Sequence, residues 1–376
     1  MSKEDIKKAI TDICDNRLKT LGEYDFYKNA SLGIKFWRVT GLVDSDIEGI
    51  IDRCEESRLN TLLSEFTFYV PSGSAFESSD APGPGPGPGP GPDPHDYSKD
   101  YFTIVALENT TILINVDDGG ISYSLDGGTI WSEGSGSFTV DVQNGEKLLL
   151  KGDVIFNQNT SGSETQFIQS AGNYSIEGNI MSLSYEDDFV DKKTIQTLSE
   201  YEKFFANDTK LISTENLVLP ATTLTQGCYQ EMFSGCTSLT TAPKILPATT
   251  VTINCYYNMF GGCTSLTTAP ELPATELAEQ CYMSMFSGCT SLTTAPELPA
   301  TELVEQCYEN MFDGCTNLNY IKALFLTTPG TGTIDWVSNV SVTGTFVRNE
   351  NTTWNVRGAN GIPEGWTVEP PFSDAN

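Results

Sequence analysis

The chain has 376 residues, a formal net charge of −29 and a pI near 4.2. This length predicts two or three domains, and the acidic excess excludes nucleic acid and anionic membranes as partners, because both need a basic footprint. The single histidine, His95, and the lack of arginine between Arg58 and Arg348 argue against histidine catalysis, histidine-ligated zinc and a central phosphate clamp.

Residues 1–75 predict a helical domain. Ile6 and Ile10 begin an apolar stripe at helical spacing, and Ser45 and Glu48 form a capping box for a second helix. A block of this size buries little core by itself. We therefore expect it to anchor the chain to other proteins or to a homo-oligomer, with a small independent domain as the alternative.

Residues 76–96 predict a linker. Proline alternates with glycine from Pro82 to Pro92, a period of two rather than the three of collagen. Such a segment favours an extended, semi-rigid path, so we expect a spacer between domains.

Residues 97–191 predict a β-sandwich-like module, because the alternating runs TILINV, SYSLD, SFTVDV and KLLLK are separated by turn residues. Asn144-Gly145 between the last two runs is typical of a β-hairpin. The stretch from Ser124 to Trp131 fits the Asp-box pattern S-x-D-x-G-x-x-W. We expect a structural role for this box, in which Asp126 binds turn amides and Trp131 packs beneath.

Residues 192–330 contain a repeat, written most clearly as MFSGCTSLTTAPELPATEL from Met285 to Leu303. The cysteines of one column follow one another at steps of 27, 26 and 26 residues: Cys236, Cys263, Cys289 and Cys315. Those of a second column lie eight residues earlier: Cys228, Cys255, Cys281 and Cys307. A period of about 20–29 residues with leucine at a fixed offset is typical of a leucine-rich-repeat solenoid, in which equivalent side chains stack into columns.

Each unit is predicted to be a helix followed by a strand. Leu277, Cys281 and Met285 recur every four residues, as on one helix face, and Gly288 supplies the positive φ that ends a helix. A first unit, with Asp208 in the place of the cysteine, brings the number to about five. Residues 331–376 are predicted to be a C-terminal cap containing Trp336, Trp354 and Trp366. The predicted fold is therefore a multidomain α+β protein: helical anchor, Pro-Gly spacer, β-sandwich-like module, leucine-rich-repeat solenoid and cap.

The cysteine columns have three interpretations: a zinc array, a disulfide ladder or small apolar core residues. Zinc sites favour closely spaced converging ligands, which a spacing of eight does not offer. Neighbouring rungs lie within disulfide reach, but nothing in the pattern assigns partners. We favour core residues, and we predict no metal or other cofactor.

Residues at the positions that vary between units can change without disturbing the core, so these positions could form a binding surface. The candidate ligand-facing residues are Gln226, Gln230, Tyr257, Asn258, Glu279, Glu305 and Glu309. The tyrosines that follow Cys228 and its equivalents could form a sugar-stacking stripe or pack in the core. The strand threonines could form an array of hydroxyl groups or simply the polar outer face of a strand. No convergent acid, base or metal set is present, so no enzymatic activity is predicted.

The stretch MFSGCTSLTTAPELPAT resembles the BspA-type leucine-rich repeats of bacterial surface proteins. GNIMSLSYEDDF and STENLVLPATTL before it, and TGTFVRNENTTW and GIPEGWTVE after it, are similar to segments of proteins from gut Bacteroidales and their phages. The resemblance spans Tyr97–Glu369 and implies adhesion or recognition of a host-surface glycan or protein, with no catalytic residues.

Two functions follow as hypotheses. The first is a phage virion protein, a head or tail fibre or decoration, held to other virion proteins by residues 1–75. The second is a bacterial cell-surface adhesin of the same repeat family. The charged start of the chain lacks the apolar segment of a secretory signal. The sequence contains no apolar run of about 18 residues, so no transmembrane helix is predicted. These features favour the virion.

Overall fold

The computed structural model describes residues 95–116, 119–154, 156, 166–352 and 354–369. The predicted helical anchor, residues 1–75, and nearly all of the predicted spacer, residues 76–96, lie outside the described residues. The chain divides into two compact units, and Asp93–Phe372 contains everything that is described. No helix within this part of the chain has the length and hydropathy needed to cross a bilayer.

The described residues are dominated by strands and turns. The strands are β1 (Phe102–Ala106), β2 (Thr110–Asn115), β3 (Ile121–Ser124), β4 (Ser132–Gly134), β5 (Ser137–Val142), β6 (Lys147–Gly152), β7 (Ile168–Ser170), β8 (Tyr174–Asn179), β9 (Leu211–Val218), β10 (Tyr320–Ala323), β11 (Thr345–Arg348) and β12 (Thr367–Glu369). One short α-helix, α1 (Ser182–Tyr185), and three 3-10 turns, Tyr97–Lys99, Glu186–Asp188 and Thr331–Thr333, complete the regular structure.

Strands β1 to β8 build two sheets around a shared core. The larger sheet has the order β4-β3-β6-β1-β8-β9 and the smaller has the order β5-β2-β7. The four runs read from the sequence form β2, β3, β5 and β6, but the predicted hairpin is wrong. The Asn144-Gly145 turn joins β5, which pairs with β2, to β6, which pairs with β1 and β3. The two strands therefore belong to different sheets, and each buries its alternating apolar residues in the shared core.

The larger sheet continues directly into the repeats. Strand β9 belongs to the first repeat unit and lies parallel to β8. A parallel ladder of single bridges then runs from Ser213 to Thr241 and on to Thr268. It resumes from Thr294 to Tyr320, and β10, β11 and β12 form a parallel three-stranded sheet. The stacking thus persists beyond Leu318, where the sequence pattern stops.

The predicted helices of the repeat are absent, and the helix-strand solenoid was wrong. The four cysteine-bearing segments and their equivalents in the first unit and the cap are chains of tight turns, which we call turn ribbons: residues 198–208, 226–236, 253–263, 279–289, 305–315 and 330–340. In the second ribbon the N–H groups of Cys228, Gln230 and Met232 donate to carbonyls three residues earlier. Those of Tyr229, Glu231 and Phe233 donate to the next unit, at 2.8–3.0 Å. An α-helix would instead use every N–H within its own segment.

Left-handed backbone explains this alternation. Each ribbon takes a positive φ at every fourth residue, as at Gln280 (56°), Ser284 (57°) and Gly288 (74°) in the fourth ribbon. A left-handed residue interrupts a right-handed helix, so the chain turns again and frees alternate N–H groups for the neighbouring unit. The apolar period of four residues therefore comes from repeated turns and not from the 3.6-residue helix.

Equivalent side chains of successive units stack in register beneath the ribbons. Tyrosine rings from Tyr201 to Tyr308 lie 5.5–5.8 Å apart between centroids, and phenylalanine rings from Phe205 to Phe312 lie 5.3–5.8 Å apart. Leu239 and its equivalents are also fully buried. The prediction that matching residues form continuous core columns is confirmed.

Both ends of these columns are closed. In the first unit Glu200 and Asp208 replace the two cysteines, and their carboxylates accept backbone N–H groups, including those of Thr197 and Leu211. At the other end the indole of Trp336 contacts the last stacked rings. Capping units of this kind keep the apolar columns from water.

Candidate functional site

The turn ribbons present two outward columns of varied side chains. The first lies two residues before Cys228 and its equivalents, is exposed, and contains Leu198, Gln226, Ile253, Glu279 and Glu305. The second, two residues after them, is half-buried and contains Glu202, Gln230, Tyr257, Met283 and Glu309. We call the surface formed by these columns and their left-handed neighbours the turn face. The core residues between the columns are almost unchanged from unit to unit, so the turn face is where the units differ.

All seven residues predicted from the sequence lie on the turn face. Gln226, Glu279 and Glu305 belong to the first column, and Gln230, Tyr257 and Glu309 to the second. Asn258 is the left-handed residue next to Tyr257, with a φ of 49°. Backbone bonds fix the register, since Asn258 N–H donates to the Met283 carbonyl at 2.8 Å and Ser284 N–H to that of Glu309 at 2.8 Å.

Polar side chains of the turn face bind one another across units. Gln280 Nε2 donates to Gln306 Oε1 at 2.9 Å, and Gln306 Nε2 donates to Glu309 Oε2 at 2.7 Å. Asn258 Nδ2 donates to Ser234 Oγ at 3.0 Å. These bonds hold the amides and one oxygen of Glu309 in fixed positions, so this part of the face is ordered before a partner arrives.

Sequence reasoning missed the apolar members of the same columns. Ile253 is 42% exposed, and Met283 follows Tyr257 in the second column. Ile253 and Tyr257 lie on the third ribbon and Met283 on the fourth, and we call these three residues the apolar patch. Ile253 and Met283 each occupy a position at which three of the other four units have glutamine or glutamate, and this is a signal of an outward position.

The tyrosine column is not a sugar-stacking surface. Tyr229, Tyr256, Tyr282 and Tyr308 are each 1% exposed and stack on one another. Burial raises their pKa values well above the usual range. Their role is core packing, the interpretation set against sugar binding in the sequence analysis.

The strand threonines are used within the stack. Thr240 Oγ1 donates to the Ile212 carbonyl at 2.9 Å and Thr267 Oγ1 donates to the Thr240 carbonyl at 3.0 Å. On the adjoining turn, Thr290 Oγ1 donates to the Thr264 carbonyl at 3.2 Å. Because these hydroxyl protons are committed to the preceding unit, the threonines stabilise the stack and offer few donors to a ligand.

The eight cysteines of the repeat are buried free thiols, which confirms their assignment as core residues. Cys236 Sγ donates to the Phe205 carbonyl at 3.0 Å, and each later cysteine of that column repeats the bond one unit further on. Burial raises the pKa of Cys228 to about 12 and that of Cys307 to about 11. No group of metal-ligating side chains suited to an ion occurs among the described residues.

The Asp box has the geometry expected of a structural turn. Asp126 Oδ1 accepts the N–H groups of Thr129 and Ile130 at 3.0 and 2.9 Å, and these bonds, led by that of Ile130, lower its pKa. Trp131 packs edge-on against Tyr101, with Lys151 Nζ 4.5 Å from the centre of its ring. With its ring committed to these contacts, Trp131 supports the loop.

Comparison of the chain with protein-family models, with curated proteins and with solved structures finds no match. The turn face is therefore interpreted from its own geometry.

Proposed function

We propose that the protein is a non-enzymatic recognition protein and that its repeat stack binds a surface through the turn face. The observation that carries this proposal is the contrast between the two sides of each ribbon. The core positions repeat the same residue from unit to unit, whereas the first outer column changes from Leu198 through Gln226 and Ile253 to Glu279 and Glu305. Core constraints do not act on these exposed positions, so the face is free to carry specificity.

The setting we propose is a phage virion, in which the protein is a head or tail fibre or decoration. The support is the resemblance of Tyr97–Glu369 to proteins of gut Bacteroidales and their phages. Residues 1–75 would hold the chain to other virion proteins as a homo-oligomer, and the Pro-Gly segment would act as the spacer. The BspA-type resemblance supports an adhesive role in this setting.

Two isoleucines provide a matched test of recognition, because Ile253 on the turn face and Ile245 on the proline-rich segment away from it are both 42% exposed. Fluorescent full-length protein is incubated with gut Bacteroidales cells, and binding is measured by flow cytometry. We expect Ile253→Ala to weaken binding by about three- to tenfold, since an anchor at an interface is worth on the order of 1 kcal/mol, and Ile245→Ala to leave it unchanged. Equal effects of the two changes would contradict use of the turn face.

Mass spectrometry of purified phage particles tests the setting. We expect peptides of the protein at a stoichiometry comparable to that of other minor virion proteins. Absence from particles, together with detection on the surface of bacterial cells, would replace the virion by the cell-surface adhesin and leave the binding face as proposed.

A further inference from the structure

From the second ribbon onward, the turn face combines its apolar patch with an uncompensated negative charge. The first ribbon carries the exposed Lys203, but the ribbons 226–236, 253–263, 279–289, 305–315 and 330–340 contain no lysine, arginine or histidine. Their carboxylates are Glu231, Glu279, Glu305, Glu309, Asp313 and Asp335. None of the six forms an ion pair with any residue that the structure describes.

The strand side of the stack is different. There Glu297 pairs with Lys322 of the next unit at 2.9 Å. The exposed carboxylates of Glu279 and Glu305 follow one another in a single column, on rungs about 5 Å apart. Like charges at this separation repel, so a cationic partner gains by relieving the repulsion.

Glu309 is positioned for such a partner. Its Oε2 accepts from Gln306, which is held in turn by Gln280, and its other carboxylate oxygen has no hydrogen-bond partner among the described residues. Glu309 lies in the column of Tyr257 and Met283. A fixed carboxylate next to apolar side chains suits a segment that carries both positive and apolar residues.

We propose that the turn face binds a basic segment of a partner protein. Lysine or arginine side chains of that segment pair with Glu279, Glu305 and Glu309, and an apolar side chain sits on Ile253, Tyr257 and Met283. Charge complementarity selects this partner over an anionic polysaccharide or a second copy of this acidic chain. The proposal rests on the recognition function above and names the class of molecule recognised.

A fluorescein-labelled peptide, Gly-Lys-Lys-Leu-Lys-Lys-Leu-Lys-Lys-Gly, is the probe, and its binding to the full chain is followed by anisotropy. The test variant is Glu279→Gln/Glu305→Gln/Glu309→Gln. The matched control is Glu271→Gln/Glu276→Gln/Glu302→Gln, which removes the same charge from exposed positions away from the turn face. We expect the test variant to weaken binding about tenfold and the control to change it less than about twofold.

Further arms separate the contributions. Ile253→Ala should weaken peptide binding and Ile245→Ala should not. Raising the salt from about 50 to about 500 mM should weaken binding to the wild type more than to the test variant, because exposed ion pairs are screened. Equal losses in both triple variants, or tight binding of the peptide with glutamate in place of lysine, would overturn the proposal.

Cell binding distinguishes this failure from failure of the proposed function. If Ile253→Ala weakens binding to cells while the test variant binds them normally, the turn face recognises a surface, but its partner is not basic. If neither change alters binding to cells, recognition by this face is itself refuted.

Discussion

The buried hydroxyls of the tyrosine column are unusual at the level of single residues. Those of Tyr229, Tyr256 and Tyr282 have no hydrogen-bond partner in the structure. The hydroxyl of Tyr174, by contrast, donates to buried Asp208 at 2.6 Å. A buried polar group without a partner costs stability, whereas a bond to a carboxylate contributes it. The repeat therefore retains tyrosine in its core at a cost that phenylalanine would avoid.

This contrast predicts opposite outcomes for the same substitution. Tyr256→Phe should raise the free energy of unfolding by about 1 kcal/mol, because it removes an unpaired hydroxyl and keeps the stacked ring. Tyr174→Phe should lower it by about 2 kcal/mol, because it leaves Asp208 without its partner. Urea denaturation of both variants measures the difference. A loss of stability in Tyr256→Phe would indicate that its hydroxyl is bonded, for instance to buried water.

At the level of the element, the turn ribbon makes a position-specific prediction. Ser284 has a positive φ of 57°, and Ser287, in the same ribbon, is not among the positive-φ residues. Ser284→Gly should raise the free energy of unfolding by about 0.5 kcal/mol, since glycine adopts left-handed backbone without strain. Ser287→Gly should lower it by about 0.5–1 kcal/mol.

Chemical denaturation of these two glycine variants also distinguishes the ribbon from a helix. In an α-helix that ends at Gly288, Ser284 would fall in the interior, so Ser284→Gly would be destabilising instead of stabilising. A loss of stability in both variants would therefore contradict the turn ribbon.

The sequence predicts the register of the repeat but not the form of its elements. Identical residues at steps of 26 or 27 require identical surroundings, so the columns could be read directly. The four-residue spacing of Leu277, Cys281 and Met285 satisfies both a helix and a run of turns. The distinguishing signal is asparagine or glycine at every fourth position, as at Asn254, Asn258 and Gly262. The fourth unit hides this signal, because Gln280 and Ser284 hold the same conformation there.

The same limit applies to the candidate site. Periodicity identified the polar residues of the turn face, since they vary where the core does not. It did not lead to Ile253 and Met283, because an isolated apolar residue in a predicted helix is normally assigned to the core. Only the three-dimensional register joins them with Tyr257 into one patch.

At the level of the whole molecule, one ladder links the sheets and the repeats. The larger sheet of the sandwich ends in β9, the first rung, and the parallel stacking ends in β12. The core of the four cysteine-bearing units keeps its thiols buried. The first unit buries the carboxylates of Glu200 and Asp208 instead, whereas the carboxylates of the later ribbons lie on the turn face. Stability therefore depends on the buried columns of the repeat, whereas the proposed recognition depends on its outward columns.

The buried thiols make the stability of this core sensitive to alkali. Burial raises the pKa of Cys228, Cys263 and Cys315 to about 12, whereas unfolded thiols titrate near pH 8.5. Above that pH the unfolded chain releases protons that the folded chain retains. Unfolding therefore becomes easier as the pH rises, up to the folded pKa, and the full stability is present below about pH 8.

We expect the free energy of unfolding to be flat from about pH 7 to 8 and to fall by roughly 1–2 kcal/mol per buried thiol by about pH 10. Urea denaturation at each pH measures it. Cys315→Ala should be less stable at neutral pH, because it leaves a cavity. Its unfolding in alkali should release one proton fewer than that of the wild type, so its free energy of unfolding should fall less steeply with pH. A slope that is unchanged in Cys315→Ala would show that this thiol does not contribute, and that other groups, such as the buried tyrosines, carry the alkaline response.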